Sequence, residues 1–161
     1  MKVKLNLGAG TDILVGYVNH DLVSLPGIEV VHNLNHYPWP WDDGSVDEIK
    51  VHDVLEHLDD FIKAMEEISR ILTSGGRCHV SVPYWNSFCV PADPTHKRGF
   101  HETTFRFFDP ESVYCQDRPY YTRARFKVVV EQFILAPFGP YFYLPGVGEV
   151  TVRRSWSKRI V

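Results

Sequence analysis

The pattern of apolar and polar positions divides the first eighty residues into alternating short strands and turns, followed by one clear helix. Val3-Lys4-Leu5-Asn6-Leu7 is a short apolar-rich run ending in Gly8-Ala9-Gly10, which predicts a strand feeding a glycine turn. Tyr17 to Leu22 predicts a second strand with Asp21 near its end. Ile28 to His32 predicts a third, in which Val30 and Val31 are β-branched, and Val46 to His52 a fourth. Between the third and fourth, Pro38-Trp39-Pro40-Trp41-Asp42-Asp43-Gly44 carries two prolines and a turn-forming tail, which excludes regular structure. From Asp59 to Thr73 the period becomes helical: Phe61, Ile62, Met65, Ile68, Ile71 and Leu72 share one face. Asp59 and Asp60 suit the positive end of that helix and Arg70 its last turn, with Gly75-Gly76 as the expected stop.

Cys78-His79-Val80-Ser81-Val82 predicts a fifth strand, closed by Pro83, and a loop-rich stretch follows from Tyr84 to about Phe108. Asp109-Pro110-Glu111-Ser112 reads as a helix start, Asp109 as cap and Pro110 in the first helical position. Arg125 to Leu135 and Gly148 to Ser157 read as two long strands joined by a Gly/Pro/Tyr-rich connection. Strands separated by helices or crossovers imply a parallel sheet with layers on both faces. The last two strands, with no helix between them, imply an antiparallel hairpin at the edge. The expected architecture is an α/β, Rossmann-like open and mostly parallel sheet with an antiparallel C-terminal strand hairpin, residues 1–161 forming a single domain.

Composition adds little to that picture except in its charge. The 161 residues, 44% hydrophobic and 23% charged, suit one ordinary globular domain. No apolar run approaches the roughly 20 residues that span a bilayer. The N-terminal residues enter a strand at once, with no leader visible, and three cysteines (Cys78, Cys89 and Cys115) lack metal-ligand spacing. These features fit a reduced, cytoplasmic setting. The net charge of −3 conceals an asymmetry: residues 1–117 carry 9 Lys/Arg against 18 Asp/Glu, and residues 118–161 carry 8 against 2. The basic end is either a solvated strand surface or an anion-binding face.

In open α/β sheets a ligand sits beyond the carboxyl ends of the strands, where Gly8 and Gly10 stand. Asp21 would end the neighbouring strand, and a carboxylate there can accept both hydroxyls of a ribose. A dinucleotide fingerprint requires a third glycine at the opening of a helix. Position 13 is Ile13 and the chain is too short for a full helix before Asp21, so a nicotinamide oxidoreductase is disfavoured and a nucleoside without phosphates fits better.

Leu5-Asn6-Leu7-Gly8-Ala9-Gly10, Val18-Asn19-His20-Asp21-Leu22, Pro38 to Ile49 and His52-Asp53-Val54-Leu55-Glu56-His57-Leu58 together resemble class I S-adenosylmethionine-dependent methyltransferases, of the type 11 domain group. The resemblance covers about residues 3–83; residues 84–161 match mainly in layout. It implies that Gly8, Ala9 and Gly10 cradle the methionine portion of S-adenosylmethionine and that Asp21 holds the ribose with Leu22 against the adenine. Asn33, beside Leu34, stands where many members have an acidic residue near the adenine amino group, and its amide carbonyl can still accept from that amine. His52 and Asp53 would lie beneath the sulfonium end.

Methyl transfer needs alignment of the acceptor and, for an alcohol or ammonium, removal of a proton. His57, His96 and His101 are the candidate bases, with Asp93 and Glu56 behind them. A metal is not expected, because His52-x-x-x-Glu56-His57 fits neither helical zinc motif. The segment Tyr84–Phe108 leaves the sheet at its carboxyl end and is the expected acceptor lid, with Tyr84, Trp85, Asp93, His96 and Arg98 as substrate-binding candidates. The expected function is methyl transfer to an oxygen or nitrogen of a small-molecule acceptor. The alternative is a catalytically idle binding module or partner subunit that uses the basic C-terminal strands on nucleic acid, against which a pI near 6.2 argues.

Overall fold

The computed structural model describes residues 3–135 and 146–154, the strands beyond Gln132 by their backbone alone. Seven strands form one sheet: β1 (Lys4–Leu7), β2 (Val18–Asp21), β3 (Val30–Val31), β4 (Val46–His52), β5 (Leu72–Pro83), β6 (Phe126–Leu135) and β7 (Gly146–Arg154). Their order is β3-β2-β1-β4-β5-β7-β6. The first five are parallel; β7 runs antiparallel beside β5, and β6 pairs antiparallel with β7 at the edge. This is the expected Rossmann-like sheet with its C-terminal hairpin. The connection 136–145 and the predicted strand end at 155–157 lie outside the described residues.

The expectation of layers on both faces is corrected. In register, Leu5 and Leu7 lie beside Ile49 and Val51, which lie beside Cys78 and Val80, and all six are buried. The alternate positions are Lys4 and Asn6, Glu48 and Lys50, Arg77 and His79. A strand buried on both faces reads as continuously apolar; these alternate, as strands with one wet face do. The cause is the chain between them. Residues 8–17 and 22–29 cross without a helix, so among the described residues no crossover helix covers that side. It is held instead by polar contacts: Lys4 and Tyr17 both bond Glu48, with His79 3.7 Å from it.

The covered side is built by α1 (Phe61–Ile71), two residues shorter at each end than predicted. Asp60 caps it, its Oδ1 accepting from Lys63 N at 2.9 Å. Ala64, Met65, Ile68 and Ile71 are fully buried against the sheet. Replacing Asp60 with alanine is expected to cost about 1 kcal/mol of stability in urea denaturation, the usual value of such a cap. The helix does not run to Gly75-Gly76. Leu72 is already extended and pairs with Val46, while Gly75, at φ +80°, turns an irregular stretch that lets Arg77 meet Glu48.

The Pro-Trp loop is irregular, as expected, but it is also core. Trp39 is 2% exposed, its indole N–H donating to Leu34 O at 3.0 Å and its backbone N–H to Glu67 at 2.7 Å. Arg70 binds that loop to α1 through Trp39 O, Trp41 O and Asp43. Asp109 does not start a helix. It is buried and accepts from Glu111 N and Val128 N, clipping its turn to β6, and Ser112 caps α3 (Val113–Asp117) instead. A second short helix, α2 (Cys89–Ala92), lies within the expected lid.

Candidate functional site

The glycine turn stands at the carboxyl end of β1 and is tied to β2 three times. Ala9 N donates to His20 O at 2.9 Å, Gly8 N to His20 Nδ1 at 3.4 Å and Gly10 N to Asp21 Oδ2 at 2.8 Å. Gly8 has φ +66°, and a Cβ there would fall 2.3 Å from the β-branched Val54, so the position requires glycine. Gly10 has φ +51°, and a Cβ there would meet nothing within 4 Å. The turn is open on the side a ligand would fill.

His20, which sequence reasoning passed over, fixes this geometry. Its ring is 1% exposed; Nε2 donates to His32 O at 2.9 Å, which leaves Nδ1 to accept from Gly8. Burial pushes its pKa below the ordinary histidine value, in keeping with a neutral ring. The loop after the turn hangs on a buried amide pair. Asn6 donates to Asn19 Oδ1 and Asp12 O, and Asn19 Oδ1 also accepts from Leu14 N. These side chains stand in for the missing crossover helix. A polar residue in a short strand is a weak signal for such a role.

Beside the turn lies a cavity of about 290 Å³ lined by Gly8, His20, Asp21, Leu22, Asn33, Leu34, Asp53 and His57, among others. Asp21 Oδ1 also accepts from Val23 N, and each oxygen keeps a lone pair for a ligand. Leu22 is 61% exposed, an apolar surface left open over the cavity. Asn33 Oδ1 accepts from Asn35 N. An open glycine cradle, a free-faced carboxylate and an apolar wall fit a nucleoside with an amino-acid tail. His52 is not among the residues lining this cavity or the next; it shares the polar side of β4 with Glu48 and Lys50.

A second cavity of about 510 Å³ adjoins the first and shares Asp53 and His57 with it. Glu56, Pro83, Phe88, Cys89, Asp93 and His96 also line it. Asp53 is the one non-glycine residue with positive φ among those described, at +51°, where β4 turns into the 3-10 turn Leu55–His57. That turn carries Glu56 inward to zero exposure. Neither of its carboxylate oxygens makes a hydrogen bond of ordinary geometry. Burial, with Asp53 and Asp93 nearby and its own N–H opposing, pushes its pKa up to about 7. His57 and His96 lie with ring centroids 4.7 Å apart, and His96 Nε2 is 3.9 Å from Glu56.

Of the five substrate-binding candidates, Asp93 and His96 line this cavity, and Tyr84, Trp85 and Arg98 do not. Arg98 donates to Leu58 O and Asp59 O, and Lys97 N donates to Glu56 O, which fastens the segment after β5 to the 3-10 turn. Tyr84 bonds Glu102, Trp85 is half exposed, and His101 sits 3.2 Å from Glu102. At the basic end, Lys127 is paired with Glu111, and Arg125 is spent on three backbone carbonyls.

Residues 18–80 match a family described as a methyltransferase domain, type 11. An uncharacterized 37.1 kDa protein of a Streptomyces fradiae transposon is 35% identical over 71 residues, 42% of this chain. The chain spans only 19% of that relative's length. Among solved structures, a Burkholderia thailandensis 1,6-didemethyltoxoflavin N1-methyltransferase with S-adenosylhomocysteine bound aligns with a TM-score of 0.62 at 17% identity, over 95% of this chain and 71% of that one. The [4+2]-cyclase SpnF aligns with a TM-score of 0.66 at 13% identity, over 96% of this chain and 75% of that one. At such identities the likeness is one of fold, and SpnF is a reminder that one fold hosts more than one reaction. The matched segment and the sheet order together make the chain similar to S-adenosylmethionine-dependent methyltransferases in part of its sequence and in its fold.

Proposed function

We propose that the chain moves a methyl group from S-adenosylmethionine to an oxygen or nitrogen of a small-molecule acceptor held in the larger cavity. The observation that carries this reading is the pair of adjoining cavities sharing Asp53 and His57, one beside the glycine turn and the other lined by titratable groups. S-adenosylmethionine, when bound, supplies a methyl group already activated on a sulfonium, so the protein's work is chiefly alignment. Gly8, Ala9 and Gly10 would hold its methionine portion, Asp21 the ribose, and Leu22, Asn33 and Leu34 the adenine. Phe88, Cys89 and Pro83 would shape the acceptor cavity and Asp93 orient a polar acceptor.

His57 is prepared to take a proton at Nε2. Thr95 Oγ1 donates to Asp93 Oδ1 at 2.6 Å, so it must accept from His57 Nδ1–H at 2.9 Å, which leaves the lone pair on Nε2. The nucleic-acid alternative is not favoured, because Arg125 and Lys127 of the basic segment are engaged within the chain.

The first experiment is calorimetric titration with S-adenosylhomocysteine, with NAD as control. Micromolar binding of the former alone is expected; binding of neither would overturn the reading in favour of an idle module. His96→Ala is expected to leave that affinity within about twofold while lowering turnover 10-fold or more, the scale of a lost acid–base or orienting group. Unchanged turnover on a true acceptor would remove His96 from the site.

A further inference from the structure

We propose that Glu56, His57 and His96 bind a divalent first-row transition-metal ion at the wall between the two cavities, with open coordination positions turned toward an oxygen of the acceptor. The placing of the acceptor rests on the reading above; the cation site does not.

One ligand atom from each of the three residues lies within 4.8 Å of the others. Nitrogen and oxygen ligands around such an ion sit roughly 3–3.5 Å apart, from bond lengths of about 2.0–2.2 Å. Closing the cluster therefore requires side-chain shifts of about 1 Å, within the reach of small torsional adjustments. The three residues come from the 3-10 turn after β4 and from the lid after β5, two segments brought together by the Lys97 and Arg98 bonds. This differs from the sequence expectation of no metal, which considered only motifs on a single helix.

The cluster lacks the partners its burial demands. Glu56 is fully buried with both oxygens unbonded, and His96, with a 9% exposed side chain, has a buried Nδ1 without a partner. Buried polar groups are nearly always paired, and a carboxylate needs a counter-charge above all. The nearby cations of the lid are turned elsewhere: Lys97 pairs with Asp59, and Arg98 with backbone carbonyls. Asp53 and Asp93 add negative charge and no relief.

The His57 imidazole has the electronic form that a ligand requires. The Asp93–Thr95–His57 chain holds the proton on His57 Nδ1 and frees Nε2, an arrangement that orients metal-binding histidines. Two imidazoles and one carboxylate suit Zn²⁺, Mn²⁺ or Fe²⁺ rather than Mg²⁺. Three protein ligands leave positions open, and the same three residues line the larger cavity. An acceptor hydroxyl bound there would become acidic enough to lose its proton to solvent near neutral pH. The imidazoles would then serve as ligands rather than as the base.

The test is titration of the untagged, chelator-treated chain with Zn²⁺, Mn²⁺ and Mg²⁺, without any cofactor. One equivalent of Zn²⁺ is expected to bind at micromolar or tighter Kd and raise the melting temperature, with Mg²⁺ at least 100-fold weaker. Glu56→Gln and His57→Asn should each weaken Zn²⁺ at least 30-fold while His101→Ala, outside the cluster, retains it. No saturable binding by the wild-type chain, equal affinity for Mg²⁺, or wild-type affinity in Glu56→Gln would each overturn the site. S-adenosylhomocysteine titrated into the metal-free chain separates the two readings, since the glycine-turn cavity requires no cation.

Discussion

Asp21→Ala is expected to weaken S-adenosylhomocysteine binding about 100-fold or more while the chain stays folded. A carboxylate accepting two ribose hydroxyls contributes through charge-assisted hydrogen bonds of about 1.5–3 kcal/mol each, and about 2.7 kcal/mol is already a factor of 100. The same side chain also accepts from Gly10 N and Val23 N, so alanine should lower stability by about 1–2 kcal/mol as well. Asp21→Asn separates the two effects. One carbonyl oxygen can still hold the Gly10 turn, so stability should remain near wild type while affinity falls about 10-fold. Calorimetry and urea denaturation on both variants check this; wild-type affinity in the alanine variant would sink the ribose assignment.

That site was legible because its parts are local. A strand, a glycine turn and an acid at the end of the next strand are adjacent in sequence, and β4 was found at its predicted bounds, Val46–His52. The period-two pattern contained more than was drawn from it. Lys4, Glu48, Lys50 and His79 alternate with the buried residues, which already speaks against a second covering layer and against His52 facing the cavity beside the glycine turn. The helix stop was misread because Gly75 serves an irregularity in β5 instead, and nothing in Leu72-Thr73 distinguishes the two uses. The acceptor side was legible only in outline. Whether Arg98 faces a ligand or caps carbonyls at Leu58 and Asp59 depends on a contact across 40 residues, which no local pattern carries.

Glu56 is the strongest case of that limit, and its burial has a measurable consequence. A carboxyl whose pKa stands at about 7 in the fold, against an ordinary 4.5, holds its proton in the folded chain while the unfolded chain has released it. Stability is therefore undiminished below about pH 4.5, falls as pH rises toward 7, and stays reduced above it. The shift corresponds to about 3 kcal/mol at pH 8, at about 1.36 kcal/mol per unit. Glu56→Gln keeps the shape and cannot ionise, so in chelator it should be more stable than wild type at pH 8 and indistinguishable from it near pH 4.5. Urea denaturation of both chains across that range checks the slope. Parallel curves would mean that Glu56 is already neutralised by a contact within the chain, which its unbonded oxygens argue against. A protein that keeps such a carboxylate, beside two imidazoles and away from the lysine and arginine that fasten the neighbouring segment, carries a penalty that a bound cation would remove. The site's largest local cost in stability and its capacity to hold a ligand thus have the same origin.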